Sequence, residues 1–478
     1  MALSLIIGPP NSGRAGVVRR ELADSLASEP MLVVPTVDDV SRFERELCDF
    51  PDAVLGASVR TFEALFGDVA AAVGAVLPEP LSASQRRRAV ILGARASGDA
   101  RISALADRPG FARALARSIE ELQAGRIAPD ALDRVAADGA DGEHLRGLAA
   151  AFRGYLELRD RLRRGDRHLT AERAISGLRA TPDAWGARPV FLYGFDDLSE
   201  EQLALVEALT AATEVTVAVT FENEREPLAA RATLVGQLSE LADRPERELP
   251  PNAEHTASPV LFAIERGLFE DAPQRAAPDG GLVFIQSVGE RAEAESIGAE
   301  VAALIAAGAQ PDSIAIALRS VERLGPLYES VLTRLGLPVA VHAGIPLGAT
   351  GAGAGILALL RAADGGHAED VVAYLRAPGR AFADQVDWLE RSIRRDRLRE
   401  VDEALAEWDG RELSELAALR NPASPAAACL EVADVARRMS AGAERRSAPL
   451  MDHAEALEAR AAELVRRTAE ELAAIGEL

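Results

Sequence analysis

The stretch LSLIIGPPNSGRAGVVRREL, residues 3–22, predicts a strand, a tight loop and a helix in direct succession. It opens on an apolar run, and its last part repeats apolar positions at helical spacing. Gly8 and Gly13 are separated by four residues, which is the glycine spacing of a phosphate-binding loop. Such a loop holds phosphate with backbone N–H groups at the start of a helix. The stretch therefore predicts an α/β fold that begins with a candidate nucleotide site.

Two positions of this loop depart from the phosphate-binding pattern. The pattern continues after its second glycine with Lys, which reaches the β and γ phosphates, and with Ser or Thr, which binds Mg²⁺. This chain has Arg14 and Ala15 there. It contains no lysine at all, so the arginine follows the bias of the whole sequence, but a planar guanidinium does not replace a compact ammonium. We therefore expect a degenerate site.

The candidate nucleotide-binding residues are Gly8, Asn11, Ser12, Gly13 and Arg14. The cofactor expected here is ATP with Mg²⁺, bound weakly or without hydrolysis. The alternative is a glycine-rich turn between strand and helix that binds nothing. The sequence leaves both interpretations open.

Strand and helix patterns alternate on either side of a helical interruption. Short apolar runs alternate with amphipathic stretches over 1–78 and again over 186–242, which predicts parallel βαβ units. Residues 79–185 lose the strand pattern and predict an all-α insertion. The polar, proline-containing stretch within 243–280 predicts a linker.

A second alternation follows the predicted linker. The runs GLVFIQSVG (281–289), SIAIALR (313–319) and PVAVH (338–342) predict three strands with helices between them. Residues 281–350 are thus predicted as the first part of a second α/β domain, and 351–478 as its helical insertion, with the chain ending before that domain is completed. The predicted fold class is α/β, with two domains built on parallel sheets, each carrying an all-α insertion.

Composition limits the possible partners. A net charge of −22 argues against a surface coated with nucleic acid, so any DNA contact is expected to be local. The two cysteines, Cys48 and Cys429, are far apart and predict buried thiols rather than a disulfide framework or a metal site. The sequence has neither a signal-peptide pattern nor a spanning apolar run, so we expect a cytoplasmic protein without membrane contact.

The segment YGFDDLSEEQ (193–202) resembles motif II of superfamily I helicases, which commonly has the form DEAQDLSPEQ. In this match Tyr193 and Gly194 fall on the Asp–Glu pair that holds Mg²⁺ and activates water in that family. Asp197 and Gln202 fall on later identities and are the remnant of the motif. The resemblance therefore implies that both catalytic acids are absent.

Three further segments are similar to the same family, in the same order. SVRTFEALF (58–66) resembles motif Ia, whose threonine and aromatic residue approach single-stranded DNA. The DNA-binding residues implied by this match are Arg60, Thr61 and Phe62. Residues 290–341 resemble the start of the second motor domain, with Arg319 on the motif IV arginine, and 369–379 resemble the helical segment that follows.

The ordered set most resembles the AddB-type subunit of AddAB helicase–nucleases, which are inactivated UvrD/RecB-like helicases with a PD-(D/E)xK nuclease. The resemblance covers residues 3–380 and implies two RecA-like P-loop domains in a DNA-binding scaffold subunit for recombinational double-strand break repair. The implied partners are single-stranded or end DNA and an AddA-type helicase–nuclease subunit. The nuclease lysine and the iron–sulfur cysteines of that family are absent from this sequence, so the resemblance extends to the family's amino-terminal part only.

Two other functions stay open. One is an active ATP-dependent DNA helicase in which other residues replace the missing ones. The other is a protein-interaction scaffold without DNA binding, which the acidic net charge favours.

Several further side chains have a structural and a functional interpretation. Arginine clusters at 86–88, 161–167 and 391–399 could follow a DNA backbone, although charge runs on helices are usually solvated faces. Tryptophans could stack on bases, but packing is favoured in a chain with so few aromatic residues. These are Trp185, Trp388 and Trp408. For His168 we expect a surface or capping role.

Overall fold

A computed structural model describes residues 3–48, 56–138, 142–273, 275–444 and 453–475. The chain divides into two compact units, Met1–Val283 and Phe284–Leu478. The first unit contains a parallel β-sheet surrounded by helices, and the second is helical in its described residues. None of the described helices is both long and apolar enough to cross a membrane.

Six parallel strands organise the first unit. They are β1 Leu3–Gly8, β2 Met31–Val33, β3 Ser58–Arg60, β4 Val190–Tyr193, β5 Val215–Thr220 and β6 Arg247–Glu248. Their order across the sheet is β3-β2-β4-β5-β1-β6. The central pair, β1 and β5, runs in register from Leu3 opposite Val215 to Gly8 opposite Thr220. The predicted α/β class with a parallel sheet is confirmed for this unit.

Helices cover both faces of this sheet. Those of the first unit are α1 Arg14–Asp24, α2 Val37–Cys48, α3 Phe62–Ala72, α4 Ala83–Ala96, α5 Ala100–Leu105, α6 Pro109–Ala124, α7 Pro129–Asp138, α8 Gly142–Arg161, α9 Arg167–Ala180, α10 Glu200–Ala212, α11 Ala232–Leu241 and α12 Pro259–Gly267. Alternate side chains of β1 enter different cores. Leu5 and Ile7 pack in the core of α3, α9, α10 and α11, whereas Ile6 packs in the core of α1 and α2. Burial on both faces explains why β1 is apolar at every position from Leu5 to Ile7.

Helices α4 to α9 lie between β3 and β4, in the region predicted to be all-α. Two glycines allow α4 and α8 to touch. A Cβ on Gly154 would lie 2.5 Å from the carbonyl oxygen of Gly93, so a larger residue there would force the two helices apart. Close backbone contact of this kind requires glycine at the crossing.

A buried carboxylate joins α6, α8 and α9. Asp166 caps α9 through the Leu169 amide at 2.8 Å, and it accepts hydrogen bonds from Tyr155 Oη at 2.7 Å and Gln123 Nε2 at 3.1 Å. Arg159 Nη1 lies 3.3 Å from the same carboxylate. Burial would raise the pKa of Asp166, but these donors and the arginine charge lower it to about 2.

Residues 243–280, predicted as a linker, carry secondary structure of their own. They include β6, which adds to the edge of the sheet beside β1, and the helix α12. The Leu249 amide continues this pairing by donating to the Ile7 carbonyl at 2.8 Å. Part of this segment therefore packs against the glycine loop that follows β1.

The second unit consists of nine helices in its described residues. They are α13 Glu290–Ala306, α14 Val321–Arg334, α15 Gly351–Ala363, α16 Ala368–Leu375, α17 Ala383–Asp396, α18 Val401–Glu407, α19 Ser414–Arg420, α20 Pro425–Glu444 and α21 His453–Ala473. Helices α15 to α21 share one apolar core, and α13 and α14 form a smaller one. The predicted helical region 351–478 includes 445–452 and 476–478, which lie outside the described residues.

The structure does not contain the three strands predicted at 281–289, 313–319 and 338–342. The structure assigns no strand to them, and all six described strands belong to the first unit. Ile316 and Leu318 pack against α13 and α14, while Ala317 between them is exposed. In 313–319 the apolar alternation therefore comes from one-sided packing on helices, which does not require a β-ladder.

Asp166→Asn tests the buried network of the helical region. Because the pKa of Asp166 is lowered in the folded protein, its contribution to stability is present above the ordinary pKa and is lost as the pH falls towards 2. We expect the substitution to lower the free energy of unfolding at neutral pH by about 2 kcal/mol in urea denaturation. Asp160→Asn is the control, since that carboxylate is 65% exposed. Equal effects of the two substitutions would contradict the buried role of Asp166.

Candidate functional site

The glycine loop joins the end of β1 to the start of α1. Asn11 has a φ of 57° and Gly13 a φ of 89°, so the chain reverses through left-handed conformations before the helix begins. A Cβ on Gly8 would lie 2.6 Å from Ser12 Oγ, which explains the requirement for glycine at the end of the strand. Among the described residues, no side chain caps the first N–H groups of α1. The loop thus has the backbone arrangement of an anion site at a helix N-terminus.

The Arg14 side chain turns back into this loop. Its Nη1 donates to Thr220 Oγ1 at 2.6 Å, its Nε to Ser12 Oγ at 3.3 Å and its Nη2 to the Pro9 carbonyl at 3.3 Å. The residue is 9% exposed, and burial lowers the pKa of its guanidinium, although arginine keeps its proton in proteins. All three acceptors are neutral, and Arg14 forms no ion pair with a described carboxylate.

Residues from the predicted linker cover one side of the loop. His255 Nδ1 lies 2.8 Å from the Asn11 carbonyl oxygen, and its Cε1 would lie 3.0 Å from a Cβ on Gly13. Together with Tyr193 and Leu249, these residues line a cleft of about 560 Å³. A cleft of this size is within the range of small-molecule sites, which is about 300–1,000 Å³.

Sequence reasoning missed Thr220 and His255. Thr220 is a polar residue at the carboxyl end of the strand beside β1, and ligands of parallel sheets lie at that edge, so its position could have indicated it. His255 lies in a stretch without a motif. His255 lies over the loop because β6 pairs with β1. A strand of two residues is too short to show a pattern in the sequence.

The segment that resembles motif II follows β4. Tyr193 ends the strand and packs edge-on against Phe43, with ring centroids 5.6 Å apart. Asp197 accepts from the Leu198 amide at 2.9 Å, and Gln202 forms a capping box with Ser199 at the start of α10. Both remnant residues therefore stabilise the turn and the helix N-terminus.

Two other acidic residues lie near the loop. Asp196 is paired with Arg231 at 2.6 Å and is 72% exposed. Glu265, on α12, has one buried carboxylate oxygen that finds no hydrogen-bond partner in the described part of the chain. Burial raises the pKa of Glu265, and Asn11 is among its hydrogen-bonding neighbours. In the part of the chain that the structure describes, no group of three or more His, Cys, Asp and Glu residues is arranged to hold a metal ion.

The three candidate DNA-binding residues of motif Ia are held by local contacts. Arg60 pairs with Asp68 at 3.1 Å, and Thr61 caps α3 by accepting from the Ala64 amide. Phe62 is 5% exposed, and its ring packs edge-on against Phe195 at 5.0 Å. Arg60 is therefore the member of this set whose charged group reaches solvent, at 40% exposure.

Arg319 lies in the second unit, in an extended segment before α14. It is exposed and forms no ion pair with the described residues. Its guanidinium is therefore available to a partner of opposite charge.

Two expectations about isolated side chains are corrected by the structure. His168 is buried at 6% exposure, and its Nδ1 lies 2.8 Å from Glu201, so it connects α9 to α10 instead of lying at the surface. Cys48 is exposed at the end of α2, whereas a buried thiol was expected, because the last turn of that helix presents it to solvent. Trp185 is buried in the core of the first unit, as expected from packing.

Phe62→Ala tests the core role of this ring. Truncating a buried phenylalanine usually costs about 3–5 kcal/mol, and we expect a loss of unfolding free energy in that range. Urea denaturation followed by Trp185 fluorescence, in a background with Trp388→Phe and Trp408→Phe, reports on the core that contains Phe62. Phe269→Ala is the control, since Phe269 is 77% exposed. A loss below about 1 kcal/mol would mean that the ring is free for another role.

Comparison with protein-family models finds no match, and comparison with curated proteins finds no significant similarity.

Proposed function

We propose that this chain is a non-hydrolysing, helicase-like scaffold subunit of a cytoplasmic helicase–nuclease for recombinational repair. In this proposal it contacts single-stranded or end DNA and an AddA-type partner, and its glycine loop binds ATP weakly without cleaving it. The observation that carries the proposal is the engagement of Arg14 by Ser12, Thr220 and the Pro9 carbonyl. A cation held inside the loop serves binding and not the movement of a phosphoryl group.

The charge of Arg14 supports nucleotide binding. A buried cation surrounded by neutral acceptors is costly, and an anion nearby stabilises it. The uncapped N–H groups at the start of α1 add a second attraction for phosphate. Both features face the cleft that the loop lines.

The surrounding residues argue against hydrolysis. Ala15 has no hydroxyl to bind Mg²⁺, and Tyr193 and Gly194 have no carboxylate where the resemblance expects the acidic pair. Asp197 and Gln202 are engaged in the cap of α10. Without a metal ligand and a water-positioning acid, bound ATP has no route to rapid cleavage.

Residues 281–350 are the region that the resemblance assigns to a second RecA-like domain. We propose that they form the second RecA-like domain when their extended segments gain strand partners. The support is that Ile316 and Leu318 of one such segment pack against α13 and α14, while that segment makes no backbone ladder in the described residues. Parallel sheets need cover on both faces, so such segments require an addition to be complete.

The rival function is an active helicase, and Glu265 is the residue that favours it. This carboxylate lies beside Asn11 and has a raised pKa caused by burial, which suits a general base. The active-helicase function predicts ATP turnover that DNA stimulates and that Glu265→Gln abolishes. The interaction-scaffold function predicts affinity for neither ATP nor DNA.

ATP affinity and turnover of the full chain test the proposed loop function. With Mg²⁺ and single-stranded DNA present, we expect weak binding and no turnover above background, because the metal ligand and acids are missing. Arg14→Ala is expected to abolish the binding, since it removes the cation of the loop. Arg45→Ala on α2 is the matched control. Robust turnover by the unaltered chain would overturn the proposal, and absence of binding would leave the loop a structural turn.

Arg60→Ala tests the DNA part of the proposal. Its guanidinium is 40% exposed at the carboxyl end of β3, so we expect weaker binding of oligodeoxythymidylate and a salt slope lower by about 1. Fluorescence anisotropy at several salt concentrations measures both quantities. Arg45→Ala again serves as the control. If Arg60→Ala and the control bind alike, motif Ia is not part of the DNA path.

A further inference from the structure

The second unit contains a cavity between α16, α17 and the segment that follows α18. Its volume is about 220 Å³, which is below the range of about 300–1,000 Å³ for drug-sized ligands and leaves room for one ring system. Phe382 and Trp408 supply aromatic lining, and Arg380, Gln385 and Arg411 supply polar groups. The cavity lies wholly within the second unit, so it is separate from the glycine loop.

Arg380 gives the cavity a buried donor. Its side chain is 6% exposed, and its Nε has no hydrogen-bond partner in the described residues. An unsatisfied buried N–H is costly, and an acceptor on a bound molecule would remove that cost. The cavity therefore favours a ligand that carries a carbonyl or another oxygen acceptor.

The position of Arg380 is set by two neighbours. Its guanidinium pairs with the buried Glu415 and lies over the ring of Tyr374, 5.0 Å from the centroid. Tyr374 Oη also donates to Glu415. Burial raises the pKa of Glu415, but the bond from Tyr374 and the Arg380 charge lower it below its ordinary value, so the carboxylate stays charged. The donor is thus held in place before any ligand binds.

A flat ring is the ligand shape that the lining favours. Phe382 is 81% exposed at the N-cap of α17, although large apolar side chains are usually buried. Trp408 forms a wall of the cavity, and its Nε1 is already bonded to the Arg411 carbonyl at 2.9 Å. Gly410 packs against this ring, so the part of the ring that lines the cavity is the part left for contact. Aromatic surfaces of this kind stack on nucleobases without regard to their identity.

The surface of α17 extends this site. Gln385, Trp388 and Arg391 are three residues apart, which places them on one helical face that starts at the cavity. Trp388 is 39% exposed, and neither Arg391 nor Arg411 forms an ion pair in the described part of the chain. Aromatic residues followed by unpaired cations are typical of surfaces that follow single-stranded nucleic acid. Two exposed carboxylates, Asp384 and Asp387, lie on the same helix, and Asp387 is paired with Arg376 at 2.7 Å.

We propose that this cavity binds one unstacked base of single-stranded DNA, stacked on Phe382 and Trp408 with a base carbonyl accepting from Arg380 Nε. The adjoining phosphates lie along the α17 face towards Arg391. This inference rests on the proposed function for its choice of DNA. It adds a base site in the second unit that is independent of the nucleotide loop.

Binding of fluorescein-labelled oligodeoxythymidylate to the full chain at low salt tests the inference. Phe382→Ala is expected to weaken binding by about fivefold or more, because stacking on one aromatic residue contributes about that much per base. Phe382 is exposed, so the variant retains the fold. Phe269→Ala, a second exposed phenylalanine that lies in the first unit, is the matched control and is expected to bind like the unaltered chain.

An abasic strand of the same length separates base from backbone. We expect it to bind the unaltered chain and Phe382→Ala equally, since it offers only phosphates. Arg411→Ala is expected to lower the salt slope by about 1 for both strands. Asp384→Asn is expected to tighten binding of both by removing a repulsive charge.

The possible failures are distinguishable. If oligodeoxythymidylate binds the unaltered chain and Phe382→Ala with equal affinity, the base site is overturned while the DNA part of the proposed function stands. If the unaltered chain binds neither oligodeoxythymidylate nor the abasic strand at low salt, the base site and the DNA part of the proposed function are both overturned. The occupant to test is then a side chain of a protein partner.

Discussion

The parallel pairing of β1 with β5 is the constraint on which the first unit depends. The two strands match residue for residue from Leu3 and Val215 to Gly8 and Thr220, and both are buried on both faces. A shift of one residue would send every side chain to the opposite core. The same register brings the Thr220 hydroxyl beside the glycine loop, where it accepts a hydrogen bond from Arg14. Core packing and loop geometry are thus consequences of one strand pair.

The glycine loop holds a buried cation among neutral acceptors. Arg14 keeps its positive charge in a nearly closed site, because arginine is not deprotonated at this depth of burial. Its geometry differs from that of a flexible ammonium, since the planar group is held at three points. In the proposed function, a guanidinium held in this way would attract a bound phosphate without supplying the mobile cation that follows a transferred phosphoryl group.

The two units differ in how completely their apolar segments are covered. In the first, helices lie on both sides of the sheet, and β6 pairs along the edge beside β1. In the second unit, Phe284 and Val288 lie in an extended segment and are 90% and 98% exposed. The helices α13 and α14 of this unit bury only a small core. The first unit therefore buries its apolar segments more completely than this part of the second unit does.

The sequence alone determined two kinds of element. They are strands that are buried on both faces and helices that are capped by residues close to them in the sequence. The apolar run of β1, the positions of Gly8 and Gly13 and the capping box of Ser199 and Gln202 each depend on neighbours within a few residues. The tertiary structure decided the rest. The contact of Arg14 with Thr220 joins residues more than two hundred positions apart, and the buried place of Phe62 depends on Phe195 from another strand–helix turn. The predicted strands of the second unit are wrong for the same reason, since alternation reports which side of a segment is covered but not whether a backbone partner is present.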